Sequence, residues 1–452
     1  MCAGRNSATN AWYVNTSNGN RNNNNTNNRY RAVGASEFVR NCDEWMEAEA
    51  GAYRNKHHNF SAARIHYHLP ELYALAEEVN GGGYKPRPMT AFVLTYPVFR
   101  EAFAPHELDC IVDHYASKLF VTVAENVHAS NGDISHGNRV GHSAQGMAER
   151  LLEDIAFVSR GYTRPCVRMH RDVTGFFVHI NREKAYRIVE KYADEFYPYE
   201  DKGEKLAIMK AILTSDPLEG CVRKSPASAW RQIPESKSLF HAKKGCGLPI
   251  GRYPSQVVAG IYLAPVDDVL SRLPNIRVEH FVDDYDIVAR DAKEARRAAE
   301  AAAVVLEGLD LELHPMKISV QPAHRGMLSC GRVVKGRRIY ISNRTVHACE
   351  DTIRITRKSE EGARELCASV NSYTGLMKHC RSFNIQRRIA GSVLQGFGLW
   401  LYFTKKENHL VCRVRRRFRR NVQAENETKY FIKFQNHETG KVYQRNFHAR
   451  RG

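Results

Sequence analysis

Two places in the sequence put carboxylates at the ends of apolar runs: Asp172 in "RMHRDVTGFF", and Asp283 with Asp284 in "HFVDDYDIV". Three such side chains on one edge of a sheet offer hard oxygen ligands of the kind that suit Mg²⁺, which keeps part of its water shell and bridges substrate phosphates. Two ions about 3.5–4 Å apart can activate an attacking hydroxyl and stabilise a leaving pyrophosphate. The work left to the protein is then positioning and charge neutralisation. Adjacent aspartates also mark turns and solvated surface, and Asp267–Asp268 in "APVDDVL", mid-helix and without strand context, is read that way. What sets "FVDD" apart is the order of the blocks around it.

In "VEHFVDDYDIVA" two short apolar runs flank a polar centre, the pattern of a hairpin. Ahead of it lie strand-like "CVRMHRDVTGFFVHI", the amphipathic helix "NREKAYRIVEKYADEFY", a polar insertion over 198–247, and the loop-to-helix run "LPIGRYPSQVVAGIYLAPVDDVLSRL". A helix follows the hairpin, with Asp291 as N-cap, Glu294 three residues on and Gly308 at its end. Short strands are expected at "KISVQP", "GMLSCGRVV" and "RRIYISN". Upstream, a helix is expected over 60–80, strands in "YKPRPMTAFVLTYPVFREAFAP", and helices in "ELDCIVDHYASKLFVTVAENV" and "MAERLLEDIAFVSRGY". From about Ser359 onward the pattern reads as helical, ending in the basic "RVRRRFRR" of Arg413–Arg420. This order describes an antiparallel sheet with helices on one face, the ferredoxin-like palm of many nucleotide polymerases. A fold alone does not carry a function.

At 452 residues and a formal charge of +18 the chain suits a polyanionic partner, nucleic acid ahead of a membrane surface; a merely basic cytosolic protein is the alternative. Eleven cysteines without a C-x-x-C pair support neither a disulfide framework nor a zinc site, and imply a reducing compartment. No apolar run reaches the roughly 18 residues of a membrane span. The expectation is a cytoplasmic protein of bacterial or phage context with no membrane partner.

The same residues resemble reverse transcriptases. "DVTGFF" resembles the first palm motif, with Asp172 as metal ligand, and "FVDD" the Y/F-x-D-D motif, with Asp283 and Asp284 as the other two. The resemblance implies an α+β right-hand polymerase with fingers, ferredoxin-like palm and helical thumb, using two Mg²⁺ ions for which Mn²⁺ can substitute. It makes Phe177 an aromatic gate against a 2′-hydroxyl, though a strand-borne core Phe reads the same. Lys317 in "LELHPMKI" becomes a general acid near the pyrophosphate, or else a surface lysine. "HGNRVGHSAQG" resembles the fingers block, with Arg139 contacting the triphosphate, but carries "GHS" where the family has Gly-Lys-Gly. "MLSCGRVV" sits where the primer-gripping hairpin falls, with Ser329-Cys330-Gly331 in place of Phe-Leu-Gly.

The "IGRYPSQ" loop, Ile250–Gln256, resembles the Ile/Leu-Gly-x-x-x-Ser-Gln pattern of reverse transcriptases from diversity-generating retroelements, within the group II intron and retron superfamily. The resemblance assigns Gly251, Ser255 and Gln256 to nucleotide binding and makes Ile250 and Gln256 fidelity determinants; Ile250 could equally pack into the palm. It implies error-prone, adenine-mutagenic cDNA made from a template-repeat RNA to diversify a target gene. Implied partners are the template RNA and cDNA, deoxynucleoside triphosphates, and a small basic helical accessory protein, single or oligomeric. Arg413, Arg415, Arg416, Arg417, Arg419 and Arg420 could grip a nucleic-acid backbone, or be a solvated face. Rivals are a retron, group II intron-type or phage-defence enzyme, and a catalytically idle RNA-binding protein on a polymerase scaffold. The expected division is 1–45 Asn-rich leader without structure, 46–165 N-terminal region and fingers, 166–345 palm with an insertion at 198–247, and 346–452 helical thumb and basic C-terminal tail.

Asparagine fills 9 of the 14 positions from Asn15 to Asn28. Low-complexity filler without structure is one reading. Both Asn codons begin with two adenines and end in a pyrimidine, so randomising those adenines never yields a stop codon. The leader is therefore expected to be a translated template repeat, with Met46 an alternative start.

Overall fold

The computed structural model describes residues 12–15, 30–33, 35–53, 69–95, 98–418, 428–435 and 442–449. Two compact units divide the chain: Met1–Val127, Phe177–Tyr262 and Asn426–Gly452 form one, His128–Phe176 and Leu263–Glu425 the other.

In the first unit β1 (Trp12–Asn15) and β2 (Tyr30–Val33) pair antiparallel, with Trp12 opposite Val33, and a helix spans Ala35–Ala52. The leader expected to lack structure through residue 45 is corrected at these places, and Met46 falls inside that helix; the tract over 16–29 lies outside the described residues. The helix expected over 60–80 is described as Leu69–Asn80. The strands expected after it are β3 (Thr90–Leu94) and β4 (Arg100–Ala104), an antiparallel hairpin to which β6 (Val222–Arg223) adds parallel to β3. Glu101 on β4 is buried and accepts from Ser238 Oγ and Leu239 N, tying the polar insertion to the hairpin. That insertion is not loop throughout: Lys202–Thr214 is a helix burying Ile208, Met209, Ile212 and Leu213. It packs beside the helix Arg182–Phe196, which Asn181 caps by accepting from Lys184 N. β15 (Thr428–Gln435) and β16 (Val442–Ala449) form a separate antiparallel pair.

The second unit holds a four-stranded antiparallel sheet in the order β7 (Arg277–Phe281), β8 (Asp284–Ala289), β5 (Val167–Val173) and β9 (Leu313–Pro322). The helix Ala292–Gly308 packs on β5, β8 and β9. Its cap is as read from the sequence: Asp291 accepts from Lys293 N and Glu294 N, while Glu294 reaches back to Arg290 N. The helix Ala144–Val158 packs on β7 and β8, burying Met147, Leu151 and Ile155 around Val288. A three-stranded sheet of β10 (Met327–Ser329), β11 (Arg332–Lys335) and β12 (Arg338–Ile341) follows.

Helices Asn343–Ile355, Glu360–Met377 and Phe383–Phe397 then enclose Leu366, Val370, Ile389, Val393 and Phe397. The expectation that the chain stays helical from there is overturned. β13 (Leu401–Lys406) and β14 (His409–Val414) form a hairpin whose Leu401 and Cys412 complete that helical core. "LYFT" and "HLVCRV" are rich in aromatic and branched residues on either side of a polar Glu407-Asn408 turn, which favours paired strands over a helix. Among the described residues no helix is long and apolar enough to cross a membrane.

Candidate active site

Side chains opposite one another across an antiparallel pair share a face, and the face alternates along each strand. Asp172 on β5 lies opposite Asp284 on β8, His170 opposite Asp286, and Arg168 opposite Val288. One face of the sheet therefore carries Arg168, His170 and Asp172 in line, with Asp284 and Asp286 beside them. Asp283 occupies the two-residue turn between β7 and β8, and its carbonyl accepts from Val173 N at 3.2 Å. The three aspartates expected to act together are adjacent.

The turn that carries Asp283 is strained. Val282 has φ 61°, a region that β-branched residues rarely enter, at a cost on the order of 1–3 kcal/mol. Its neighbours fix it. Gly137 packs so close that a Cβ there would lie 2.5 Å from Val282 Cγ2 and 2.8 Å from Val282 N. The same loop pairs with β7, His136 N donating to His280 O and His280 N to Ile134 O. From below, His280 Nδ1 meets Val282 O at 3.0 Å and Nε2 meets Asp267 at 3.1 Å. Both ring nitrogens face acceptors, an arrangement that favours the doubly protonated ring. Burial disfavours that cation, but Asp267 outweighs it and holds the pKa of His280 above the ordinary value. Asp267 is correspondingly held below its usual range by His280 and His128, against burial. Read from sequence as solvated surface, Asp267 is in fact 1 % exposed and supports the turn.

The carboxylates repel one another. Burial and then the charge of Asp283 push Asp284 up to about 6, with Asp172 adding to the effect. His170 sits 3.6 Å from both Asp284 and Asp286, and the neighbouring carboxylate of Asp286 raises its pKa. Hard oxygens held together against their own repulsion fit a divalent cation in donor chemistry. Among the described residues no three ligating side chains already converge as a cage. Lys317 on β9 instead neutralises Asp172 through an ion pair of 2.5 Å, across an irregularity in the β5–β9 register. The lysine expected near a leaving pyrophosphate thus lies within reach of the aspartate face.

Beneath this face is a buried network that the sequence reading missed. Asp286 is fully buried and accepts from Arg168 Nη2 at 2.8 Å and from Ser329 Oγ at 2.7 Å. Burial opposes its ionisation, yet Arg168, His170 and Ser329 hold it below the ordinary carboxylate range. Arg168, also fully buried, donates to Met327 O at 3.2 Å. Strand β8 is thereby tied to the β10–β11 hairpin. Ser329, one of the residues that departs from Phe-Leu-Gly, is the one that makes the tie. Period-two spacing in "RMHRD" and "DDYD" carried the signal, since it places Arg168 and Asp286 on the face of Asp172 and Asp284.

Arg139 faces its own loop, donating to Asp133 at 2.7 Å and Ser135 O at 2.8 Å. Phe177, Ile250, Gly251, Ser255 and Gln256 belong to the first unit. Phe177 is not strand-borne. The strand ends at Val173, Gly175 turns with φ 49°, and Phe176–His179 is one helical turn with Phe176 buried and Phe177 half-buried. Leu248 N, two residues before the segment expected to select nucleotides, donates to the carbonyl of the expected sugar gate Phe177 at 2.8 Å. Arg413, Arg415, Arg416 and Arg417 are all exposed, with Arg417 stacked over Phe418; Arg419 and Arg420 lie outside the described residues.

No protein-family model matches the chain, and no curated protein is similar to it. Among solved structures it is similar to Candida tropicalis telomerase truncated from its C-terminal domain, at 9 % identity and a TM-score of 0.43 over 60 % of this chain and 59 % of that one. It is similar also to Candida albicans telomerase in complex with a fragment of telomeric RNA, at 10 % identity and 0.41 over 74 % and 64 %. The chain thus spans about three-fifths of the length of these proteins.

Proposed function

We propose that the protein is an RNA-directed DNA polymerase. The observation that carries this reading is the register that sets Asp172 directly opposite Asp284, with Asp283 in the tight turn beside them. Asp172, Asp283 and Asp284 would hold Mg²⁺, which when bound lowers the barrier to attack on a phosphoryl group and neutralises the leaving pyrophosphate. Lys317, whose ammonium already reaches Asp172, would carry a proton toward the leaving group. Phe177 would stand against a ribose 2′-hydroxyl, and Ile250 and Gln256 would line the position of the incoming base. The exposed arginines from Arg413 to Arg417 suit a nucleic-acid backbone.

The finer reading, an adenine-mutagenic enzyme of a diversity-generating retroelement working on a template-repeat RNA with a basic accessory protein, rests on the "IGRYPSQ" loop. An apolar Ile250 in place of a hydrogen-bonding side chain removes a polar contact that would discriminate bases. Two assays test the proposal. Extension of a DNA primer on an RNA template should proceed with deoxynucleotides, and Phe177→Ala should admit ribonucleotides; absence of any extension refutes the polymerase reading. Sequenced cDNA should carry errors concentrated opposite adenine, with Ile250→Gln reducing them. Errors spread evenly over the four template bases would refute the retroelement reading alone.

A further inference from the structure

The Ile250–Gln256 loop is held by contacts that its sequence pattern does not describe. Ile250 O accepts from Phe103 N at 2.7 Å, taking the edge of β4 that β3 leaves free. Gly251 follows at φ 116°, and a Cβ there would lie 2.5 Å from Phe103 O, so only glycine lets the loop cross β4 this closely. Arg252 then turns inward and is 3 % exposed. Its Nε lies 3.0 and 3.1 Å from the two carboxylate oxygens of Asp113, and its Nη2 is 2.8 Å from one of them. The same Nη2 donates to Tyr84 OH at 3.2 Å. Asp113, 1 % exposed, stands on the helix Glu107–Ser130. The segment expected as a loop through Gln256 is loop only as far as Arg252, where the helix Tyr253–Ser271 begins; Ser255 in its first turn is buried, while Ile250 before it and Gln256 within it are half-buried.

A guanidinium fork on a carboxylate is directional as well as charged, and it fixes the angle of the chain that carries it. Buried pairs of this kind add little net stability over an apolar replacement, so geometry is the better account of their presence. We infer that Arg252 is a positioning residue whose buried contacts with Asp113 and Tyr84 set the path of the Ile250–Gln256 loop, and through it the selection of the incoming nucleotide. This rests on the polymerase reading above. Buried and paired to Asp113, Arg252 acts by holding the entry to the helix Tyr253–Ser271 against the helix Glu107–Ser130. The backbone bond from Leu248 to Phe177 carries the same constraint to the expected sugar gate.

The test is single-nucleotide incorporation opposite a template adenine by the full chain, scored as the ratio of matched to mismatched kcat/KM. Three variants are compared: Arg252→Lys, which keeps the charge without the fork; Arg252→Met with Asp113→Leu, which removes both charges; and Tyr84→Phe, which removes one hydroxyl and keeps the ring. Thermal unfolding of each is recorded alongside. Arg252→Lys and the double variant are expected to lower the ratio at least threefold, and Tyr84→Phe about twofold, independently of the order of their melting temperatures. A ratio equal to wild type in every variant that folds overturns the inference, even if melting temperatures fall. Tyr84→Phe preserves the packing volume and so supplies a folded variant in any case. If the wild-type chain incorporates nothing, the polymerase reading falls and this inference with it.

Discussion

Replacing Asp286 by Asn changes the buried network beneath the aspartates by one charge at nearly constant volume. The substitution leaves Arg168, fully buried, without its counter-charge. At 2.8 Å the gross attraction of such a pair is about 6 kcal/mol at an effective dielectric constant of 20. Part of that offsets desolvation, and removing one partner of a buried pair costs about 3–5 kcal/mol in net stability. For a unit of this size each kcal/mol moves the melting temperature by about 2–4 °C, so Asp286→Asn should melt roughly 10 °C lower. Removing both charges together, as Arg168→Met with Asp286→Leu, should recover most of this loss. Circular dichroism melts of the three proteins decide the matter. The double variant should nonetheless extend primers more slowly than wild type, because the tie from Ser329 to β8 is gone. A single variant melting within 2 °C of wild type, or a double variant less stable than the single, refutes the account of Arg168 and Asp286 as a mutually dependent pair.

Gly137→Ala drives a Cβ into Val282 and should displace the turn that carries Asp283; a shift of about 1 Å costs on the order of a hundredfold in rate, read by primer extension, and an unchanged rate would show that the turn tolerates the displacement. Burial pushes Glu279 up to about 7, and burial together with the charge of Glu279 pushes Asp154 up to about 8. Raised carboxyl values mean that the protonated pair stabilises the fold fully below about pH 4, and that this contribution is lost as pH rises through 7 and 8. Melting temperature should therefore fall between about pH 4 and 8 and level off above, and Glu279→Gln should flatten the decline. Neutralising Arg415, Arg416 and Arg417 together should reduce the slope of log affinity for single-stranded RNA against log salt by about 2, measured by fluorescence anisotropy; no change in slope assigns them to solvent.

What was legible in the sequence followed the strength of its local signals. The β7–β8 hairpin, the helix capped by Asp291 and the β3–β4 pair were readable because apolar periodicity and turn or cap residues agreed. The aspartates were readable because each ends a strand whose partner the order of blocks supplied. Asp267 was misread because a carboxylate in a helix is usually solvated, and only the fold brings His280 beneath it. Asp286 and Arg168 were overlooked because a buried ion pair joins residues 118 apart, which local periodicity does not report, although the spacing on each strand was visible. The β13–β14 hairpin departs from the helical expectation because its aromatic and branched residues flank a polar turn, which favours pairing over a helix. Strain at Val282 had no signal at all, since it is imposed by Gly137 and His280 from outside the turn.

The central claim is that Asp172, Asp283 and Asp284 form one phosphoryl-transfer site. Its most direct test is the rate of deoxynucleotide incorporation on an RNA template by wild-type protein and by Asp283→Ala, in saturating Mg²⁺. Loss of a ligand to the charge that neutralises the transition state removes several kcal/mol, so the variant should fall on the order of a thousandfold while its melting temperature stays at or above wild type. Equal incorporation by the two proteins would contradict the account.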